Sequence, residues 1–477
     1  MDQRLITQKL NLAKELYQTG KIEEAYTALK KLEHTGNATS LGHLLLSQIY
    51  LRKNAIYHAE QYAVLAHNDE RLAADAIATL VEIFARKKLP VKARSELKRY
   101  REQKGSSKIM SNLLDARLEI VEESFESALV EVSEIVVADR NFTLARELFR
   151  QAYEEFSQYA DQERFESFLD SVSLLIQRKS DEVIGTKKLG EPHLIDIIIP
   201  VFNGLEDLKR CLQSVERCHE ALQGQIILVD DHSDVDTQRW LKEYTESNSN
   251  VRLIQNSQNL GFTRSVDRGI KASVAPYFLL LNSDTIVTRG WLSGLFAAIA
   301  SDNKAAMAGP VSNNAFCQSI LPPDFDWVLF ESYGYSFEEI ASFVDRHSRC
   351  EYPRLPYLSG FCLLIERKAF ESVGGLNLEL YPFGYWEVQD LAFRLLDNDK
   401  YGVLADNVYV HHRAGASSSN TRREELISNG LKTLARQYGS IRVLMAEEIS
   451  RSNAVIKSLI SKTHFYVGNI TSHQEKA

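Results

Sequence analysis

The chain is 477 residues long, with 44% hydrophobic residues, 25% charged residues and a formal net charge of −8. The length predicts two to three domains, each with its own core, and the negative balance argues against a nucleic-acid partner held mainly through its phosphates. No apolar run reaches the length of a membrane span, and the opening Met1-Asp2-Gln3-Arg4 lacks the apolar core of a signal peptide. Five scattered cysteines, Cys211, Cys218, Cys317, Cys350 and Cys362, form neither a disulfide framework nor a Cys-x-x-Cys pair. Reduced thiols in a cytosolic protein are the expectation.

Residues 1–180 read as helix almost throughout, with few prolines or glycines. They also repeat. Ala25, Ala59 and Ala93 recur at steps of 34, as do Leu16-Tyr17, Ile49-Tyr50 and Ile83-Phe84 at 33 and 34. Breaks at Thr19-Gly20-Lys21, Lys53-Asn54 and Lys87-Lys88-Leu89-Pro90 divide each unit into two helices; a fainter fourth unit runs through Ile120-Val121 and Ala128, and a fifth takes in Phe156 and Phe165. The period resembles that of tetratricopeptide arrays, in which small residues let paired helices approach and neighbouring units stack into a curved solenoid. A generic helical bundle is the plainer alternative. Either way the segment holds no catalytic constellation and is expected to serve a protein partner or self-association.

Residues 181–193 are polar, with two glycines and a proline, and read as a linker. Strands and helices then alternate. Strands are expected at Ile195–Val201, Gln225–Val229, Val251–Gln255 and Tyr277–Leu281, and helices at Leu205–Val215, Thr237–Thr245 and Thr263–Ala272. Such alternation predicts a parallel sheet flanked by helices.

Four loops follow where that fold places its ligands. Pro200-Val201-Phe202-Asn203 ends the first strand, and a proline there predicts that the chain leaves the sheet. Backbone groups and Asn203 can meet a base or ribose, or Asn203 can simply cap a turn. Asp230-Asp231 ends the second strand; adjacent acids repel, and a bound base or ribose donating to one of them would relieve that. One of Ser233, Asp234 and Asp236 is expected to cap the next helix. Asn259-Leu260-Gly261-Phe262 leads into a helix carrying Arg264, which can reach a phosphate or base or lie on a solvated face. Asn282-Ser283-Asp284-Thr285 ends the fourth strand, where Asp284 can hold a divalent cation or merely cap a turn.

In this order, Ile197 to Asn203, Val229 to Ser233, Asn259 to Phe262 and Leu280 to Thr285 resemble the inverting family 2 glycosyltransferases of GT-A fold. Further matches are Ser359-Gly360-Phe361-Cys362 with Arg367, Gly374 and Gly375, then Gly384 to Leu391 with Arg394, and Val410-His411-His412. The likeness is nearest to the rhamnosyltransferase-like branch, with its Asn-x-Asp in place of Asp-x-Asp. It implies an α/β fold: a GT-A, Rossmann-like nucleotide-diphospho-sugar transferase domain over 194–420, preceded by the all-α tetratricopeptide-like domain and followed by a helical extension over 421–477.

The resemblance also implies roles. Pro200, Phe202, Asn203, Asp230 and Asp231 would contact the nucleoside, with Gly261 and Arg264 nearby. Asn282 and Ser283 would approach the ribose or phosphate, and Gly360 would border the donor sugar and acceptor. Asp284 and His412 would bind Mn²⁺ or Mg²⁺, with His411 as the lesser substitute. An oxygen and imidazole donor pair suits a hard cation that keeps open positions for a diphosphate. The donor would be a UDP-, dTDP- or GDP-linked sugar, and the acceptor a surface polysaccharide, a lipid-linked glycan or a protein. The expected place is the cytoplasm, with a peripheral position at the inner face of the membrane as a further option.

One position departs from the pattern. Family members carry two acids where this chain has Glu387-Val388, and the second is commonly the base. Valine accepts no proton, so the role falls to Asp390 by a narrow preference or to Glu387. At i and i+3 of one helix they would share a face, where repulsion raises one pKa. Alternatively Glu387 caps the helix and Asp390 pairs with Arg394. Loss of the base would leave a catalytically weak or inactive nucleotide-sugar-binding scaffold. The aromatic-rich segment 312–356 is expected to form an acceptor lid, Gly415 to Ser419 a mobile loop, and Arg422 to about Lys462 a helical tail. No G-x-G-x-x-G or P-loop lysine motif points to a dehydrogenase or nucleotidyltransferase.

Overall fold

A computed structural model describes residues 3–174, 195–323, 325, 327–332, 334–413 and 420–474. The expected linker 181–193, Tyr333 and the loop Gly415 to Ser419 lie outside the described residues. By internal contacts the chain divides into two compact units, Met1–Phe168 and Leu169–Ala477.

The first unit is a run of helix pairs. They are α1 (Gln3–Gln18), α2 (Ile22–His34), α3 (Ser40–Arg52), α4 (Ile56–His67), α5 (Ala73–Arg86), α6 (Pro90–Glu102), α7 (Lys108–Val121), α8 (Phe125–Ala138), α9 (Thr143–Tyr159) and α10 (Gln162–Ser171), whose last residues lie past the boundary at Phe168. Ala25, Ala59, Ala93 and Ala128 are fully buried, as the spacing predicts. The turns repeat as well. Gly20, Asn54, Lys88 and Glu123 all have positive φ, at steps of 34, 34 and 35 residues. The amide after each donates to the carbonyl five residues back: Lys21 to Leu16 at 2.8 Å, Ala55 to Tyr50 at 2.8 Å, Leu89 to Phe84 at 3.0 Å and Ser124 to Glu119 at 2.7 Å. This is the left-handed helix cap that satisfies orphan carbonyls. Further on, Phe156 and Phe165 meet edge to face at 5.1 Å.

The second unit is built on an eight-stranded sheet. Its elements run β1 (Ile195–Val201), α11 (Leu205–Arg217), β2 (Gln223–Asp230), α12 (Val235–Ser247), β3 (Val251–Gln255), α13 (Phe262–Ala272), β4 (Tyr277–Leu281), β5 (Thr285–Ile286), α14 (Trp291–Ala300) and β6 (Ala305–Val311). Then come α15 (Trp327–Ser332), α16 (Phe337–His347), β7 (Arg354–Leu355), β8 (Cys362–Glu366), α17 (Arg367–Ser372), α18 (Glu387–Leu396), β9 (Tyr401–Tyr409) and β10 (His411–His412). Three helices close the unit, α19 (Asn420–Tyr438), α20 (Ser440–Ser452) and α21 (Ala454–Gln474). Among the described residues no helix is long and apolar enough to cross a membrane.

Strand order is β3-β2-β1-β4-β8-β6-β9-β7, with β5 and β10 forming a separate two-stranded ribbon. The expected parallel sheet is found in the four strands named from the sequence, and the later strands make the whole a mixed one. β1 to β4 are parallel, but β8 runs antiparallel to both β4 and β6, and β7 antiparallel to β9. One correction concerns Pro200, which stays in β1 opposite Val229 rather than ending the strand. The Ile195 amide and the Val201 carbonyl both bond on the β2 side, so by alternation the missing N–H of Pro200 faces β4. Pairing with β4 stops at Ile198, so no ladder bond is lost there.

Stability should follow the turn and core geometry of the repeats. Replacing Ala59 by Leu overpacks a closed helix contact and should cost about 1–3 kcal/mol. Replacing Glu123 by Gly relieves a left-handed non-glycine residue and should stabilise by roughly 1 kcal/mol. Urea denaturation of the two variants checks the opposite signs.

Candidate active site

The site forms at the carboxyl ends of β1, β2 and β4, where the order switches from strands added outward of β1 to β4 on its other side. Its centre is the turn after β4. Thr285 Oγ1 donates to the Asn282 carbonyl at 2.8 Å, and the Asn282 amide donates to Phe361 O at 2.8 Å. β5 then pairs antiparallel with β10, setting Thr285 opposite His412.

That ribbon brings Asp284 and His412 together. His412 Nε2 lies 3.4 Å from Asp284 Oδ1 and 3.5 Å from Asn282 Nδ2. The other ring nitrogen, Nδ1, is 2.6 Å from the Asn314 carbonyl. A carbonyl only accepts, so Nδ1 carries the proton and Nε2 is the atom turned to Asp284. Asn313 fixes the His412 backbone on both sides, accepting from its N–H at 2.8 Å and donating to its carbonyl at 2.9 Å. Phe361 stacks on the ring at 4.9 Å. Burial pushes the Asp284 carboxyl up, but the hydrogen bond and charge of the His412 ring, when it carries a proton on Nε2 as well as on Nδ1, outweigh it and hold the group below its ordinary value.

These residues fit a divalent cation. Two donors at about 2.1 Å from one ion stand roughly 3.0–3.4 Å apart, and Asp284 and His412 already do. Among the described residues no group of three or more His, Cys, Asp or Glu side chains could hold a metal. Among the described residues a cation here would have Asp284 and His412 as its side-chain donors of these types. His411 is not a substitute. Its ring is buried between Trp327 at 4.5 Å and Phe337 at 4.2 Å, and burial drives its pKa down to about 3.

The adjacent acids at the end of β2 are already satisfied by the chain. Asp231 accepts from Asn256 Nδ2 and Leu260 N at 2.7 Å and from Gly261 N at 2.9 Å. Asp230 is fully buried and accepts from Ser233 N at 2.9 Å and from Gln255 Nε2 at 3.3 Å. Asn203, in the left-handed region, accepts from Asp234 N at 2.8 Å, while its own N–H donates to Ser233 Oγ at 2.9 Å. Asp234 caps α12. These residues brace the loops, and internal donors supply the relief that a ligand was expected to bring. Phe202, at 37% exposure, and Arg264 are the expected nucleoside-side residues left open to solvent. Gly261 sits where a side chain would strike Pro382 and Phe383.

The two acids of α18 have different surroundings. Asp390 is closed off, with Oδ2 bound by Arg394 at 2.9 and 2.7 Å and Oδ1 by Tyr438 Oη at 2.9 Å. Glu387 is buried, and its Oε2 finds no hydrogen-bond partner among the described residues. Burial raises its pKa to about 7; mutual repulsion with Asp390, the expected cause, is not what moves it. Val388 Cγ2 would lie 2.8 Å from a Cβ placed on Gly360, with Glu387 Oε1 at 3.9 Å. Gly360 thus borders Val388 and Glu387, while the next residue, Phe361, touches His412.

The aromatic segment is mostly packing. Phe325, Trp327, Phe330, Tyr335 and Phe337 form a continuous set of ring contacts. Phe316, 37% exposed and with φ of 54°, stays open. Asn313 and Asn314 were not anticipated. Their signal was the one that marked Asn282: a polar run directly after a buried strand, here β6.

Residues 196–374 match the family described as glycosyl transferase family 2, and the sheet unit is a GT-A-like mixed-sheet domain that follows the helical one in the sequence. Among curated relatives, polypeptide N-acetylgalactosaminyltransferase 4 of Caenorhabditis elegans is 28% identical over 185 residues, covering 37% of this chain and 30% of that protein. The chain therefore matches under a third of that relative's length. An uncharacterized glycosyltransferase of Haemophilus influenzae is 23% identical over 311 residues, 58% of this chain and 88% of its own. A mannosyltransferase from Pyrobaculum calidifontis, solved with GDP-Man and Mn²⁺, aligns at 12% identity and a TM-score of 0.42 over 70% of this chain and 85% of that one.

Two outcomes test the site. Asp284→Asn and His412→Ala should each weaken Mn²⁺ binding by at least about tenfold in calorimetry, while His411→Phe leaves it unchanged. Glu387 is raised from 4.5 to about 7 on folding. Its neutral form is thus favoured in the native state, and that stabilisation, complete below pH 4.5, is lost as pH rises to about 7. Relative to Glu387→Gln, the wild type should lose up to about 3 kcal/mol across that window, read from urea midpoints at each pH.

Proposed function

We propose that the chain is a metal-dependent, inverting family 2 glycosyltransferase that moves a sugar from a nucleoside diphosphate to an acceptor hydroxyl. The observation that carries this reading is the convergence of Asp284 with His412 Nε2 at 3.4 Å, linked through Phe361 and Gly360 to the buried, unpaired Glu387. Asp284 and His412 would hold Mn²⁺ or Mg²⁺, which when bound offsets the charge developing on the departing diphosphate. Asn282 and Ser283 border that position. Phe202 and Arg264 remain for the nucleoside, with Pro200, Asn203, Asp230, Asp231 and Gly261 shaping the loops that carry them.

The base preference is reversed relative to the sequence expectation. Both oxygens of Asp390 are already bonded, whereas Glu387 has a free oxygen and a pKa of about 7, suited to taking a proton at neutral pH. Glu387 removes the hydroxyl proton as the acceptor oxygen attacks the anomeric carbon. The bond to the diphosphate breaks with its electron pair leaving on phosphate oxygen, and attack from the opposite side inverts the centre.

The donor is a UDP-, dTDP- or GDP-linked sugar, with a rhamnosyl-type unit among the candidates. The acceptor is a surface polysaccharide, lipid-linked glycan or protein. The helical array is tetratricopeptide-like and binds a protein partner or a second copy, in the cytoplasm or at the inner membrane face. One observation favours a second reading, a nucleotide-sugar-binding scaffold without turnover: Val388 packs on Gly360 where an acid would otherwise stand.

A thermal-shift screen of nucleotide sugars with and without Mn²⁺ identifies the donor, because a ligand that binds the native state raises Tm. With that donor, Glu387→Gln should lower kcat by about 10²–10⁴ and leave donor binding intact. Donor binding by the wild type, with no hydrolysis or transfer to any acceptor, leaves the scaffold reading.

A further inference from the structure

Glu387 begins α18 directly after three residues in the left-handed region: Gly384 with φ of 90°, Tyr385 with 64° and Trp386 with 81°. Glycine adopts this freely, but bulky aromatic residues do so only where the surroundings hold them. On one side, Thr263 of α13 accepts from the Gly384 amide at 3.1 Å and donates to the Tyr381 carbonyl. On the other, α19 supplies the hold. Trp386 Nε1 donates to Ile427 O at 2.9 Å, and its ring lies over Gly430, where an added Cβ would stand 2.4 Å from Trp386 Cδ1. Tyr381 Oη bonds Gln437 Oε1 at 2.9 Å, and Tyr438 Oη donates to Asp390 Oδ1 at 2.9 Å. The titratable groups gathered here with Glu387 are Tyr381, Asp390, Arg394 and Tyr438.

We propose that α19 is a positioning element of the active site: through Trp386 seated on Gly430 and Tyr438 bonded to Asp390, it holds the strained turn that presents Glu387. This rests on the reading of Glu387 as base. Asp390 then acts as a positioning residue, because its Oδ1 ties α18 to Tyr438 of α19 and its Oδ2 is taken by Arg394 of its own helix, rather than facing a substrate. α19 itself lies outside 196–374, the stretch that matches the family. α19 is thereby part of the site and not an appended tail.

The test uses the full chain and three variants. Trp386→Phe removes the indole N–H, Gly430→Ala crowds the ring, and Asp390→Asn weakens the tie to α19. The Glu387 carboxyl is titrated by infrared difference spectroscopy against Glu387→Gln. Donor hydrolysis in Mn²⁺ is followed with a panel of UDP-, dTDP- and GDP-linked hexoses. The midpoint, near 7 in the wild type, should fall by about one unit or more in Trp386→Phe and Gly430→Ala as water reaches the carboxyl. With a hydrolysed donor, kcat should drop about tenfold or more with KM nearly unchanged. Asp390→Asn should keep the pH-dependent limb that Glu387→Gln loses.

An unmoved midpoint and kcat in Trp386→Phe overturn the positioning role, and that variant decides should Gly430→Ala fail to fold. A shifted midpoint combined with wild-type turnover by Glu387→Gln overturns the base assignment instead. If no hexose is hydrolysed, the midpoint alone decides the positioning role.

Discussion

The pairing of β5 with β10 joins the turn that leaves β4 to the chain that leaves β9, and the proposed metal site depends on that join. Thr285 and His412 are register partners, so Asp284 and the imidazole meet as a consequence of backbone geometry. Asn313 and Asn314, at the end of β6, then fix the backbone and the ring of His412. The two firm donors come from separate strand ends, and the third strand end orients one of them. Such outer support sets tautomer and direction, and so decides which atom is available to a cation.

The direction of β8 is the second constraint. Because it runs antiparallel to β4, its amino end, with Gly360 and Phe361 before it, stands beside the carboxyl end of β4. A parallel strand would have put Glu366 there instead. Phe361 thus reaches His412, while Gly360 leaves room for Val388 beside Glu387.

Acids in this domain divide by how their oxygens are satisfied. Asp230, Asp231 and Asp390 are buried and fully bonded to the chain's own donors, which makes them structural members of their loops and helix. Glu387 is also buried but has an unpaired oxygen among the described residues, and desolvation lifts its pKa. Buried polar groups are ordinarily paired, so an unpaired carboxyl is a stronger pointer to chemistry than an acid's mere place in a motif. Asp390 and Glu387 are three residues apart in one helix, yet only their partners distinguish them.

The sequence by itself determined the division into a helical array and an alternating α/β region, because apolar periodicity and turn residues are local signals. Helix pairs near 34 residues, and the strands Ile195–Val201, Val251–Gln255 and Tyr277–Leu281, were legible to the residue or nearly so. Order along the chain also singled out Asp284 and His412, which the structure brings to 3.4 Å. Only the tertiary structure decided the antiparallel insertion of β8, the retention of Pro200 in β1, the placement of His411 in an aromatic cluster, and which acid of α18 is free. The physical reason is common to these. Strand direction, hydrogen-bond partners and desolvation are properties of neighbours distant in sequence. Arg394 lies one turn from Asp390 and could be anticipated, but Tyr438 comes from another helix and completes the closure.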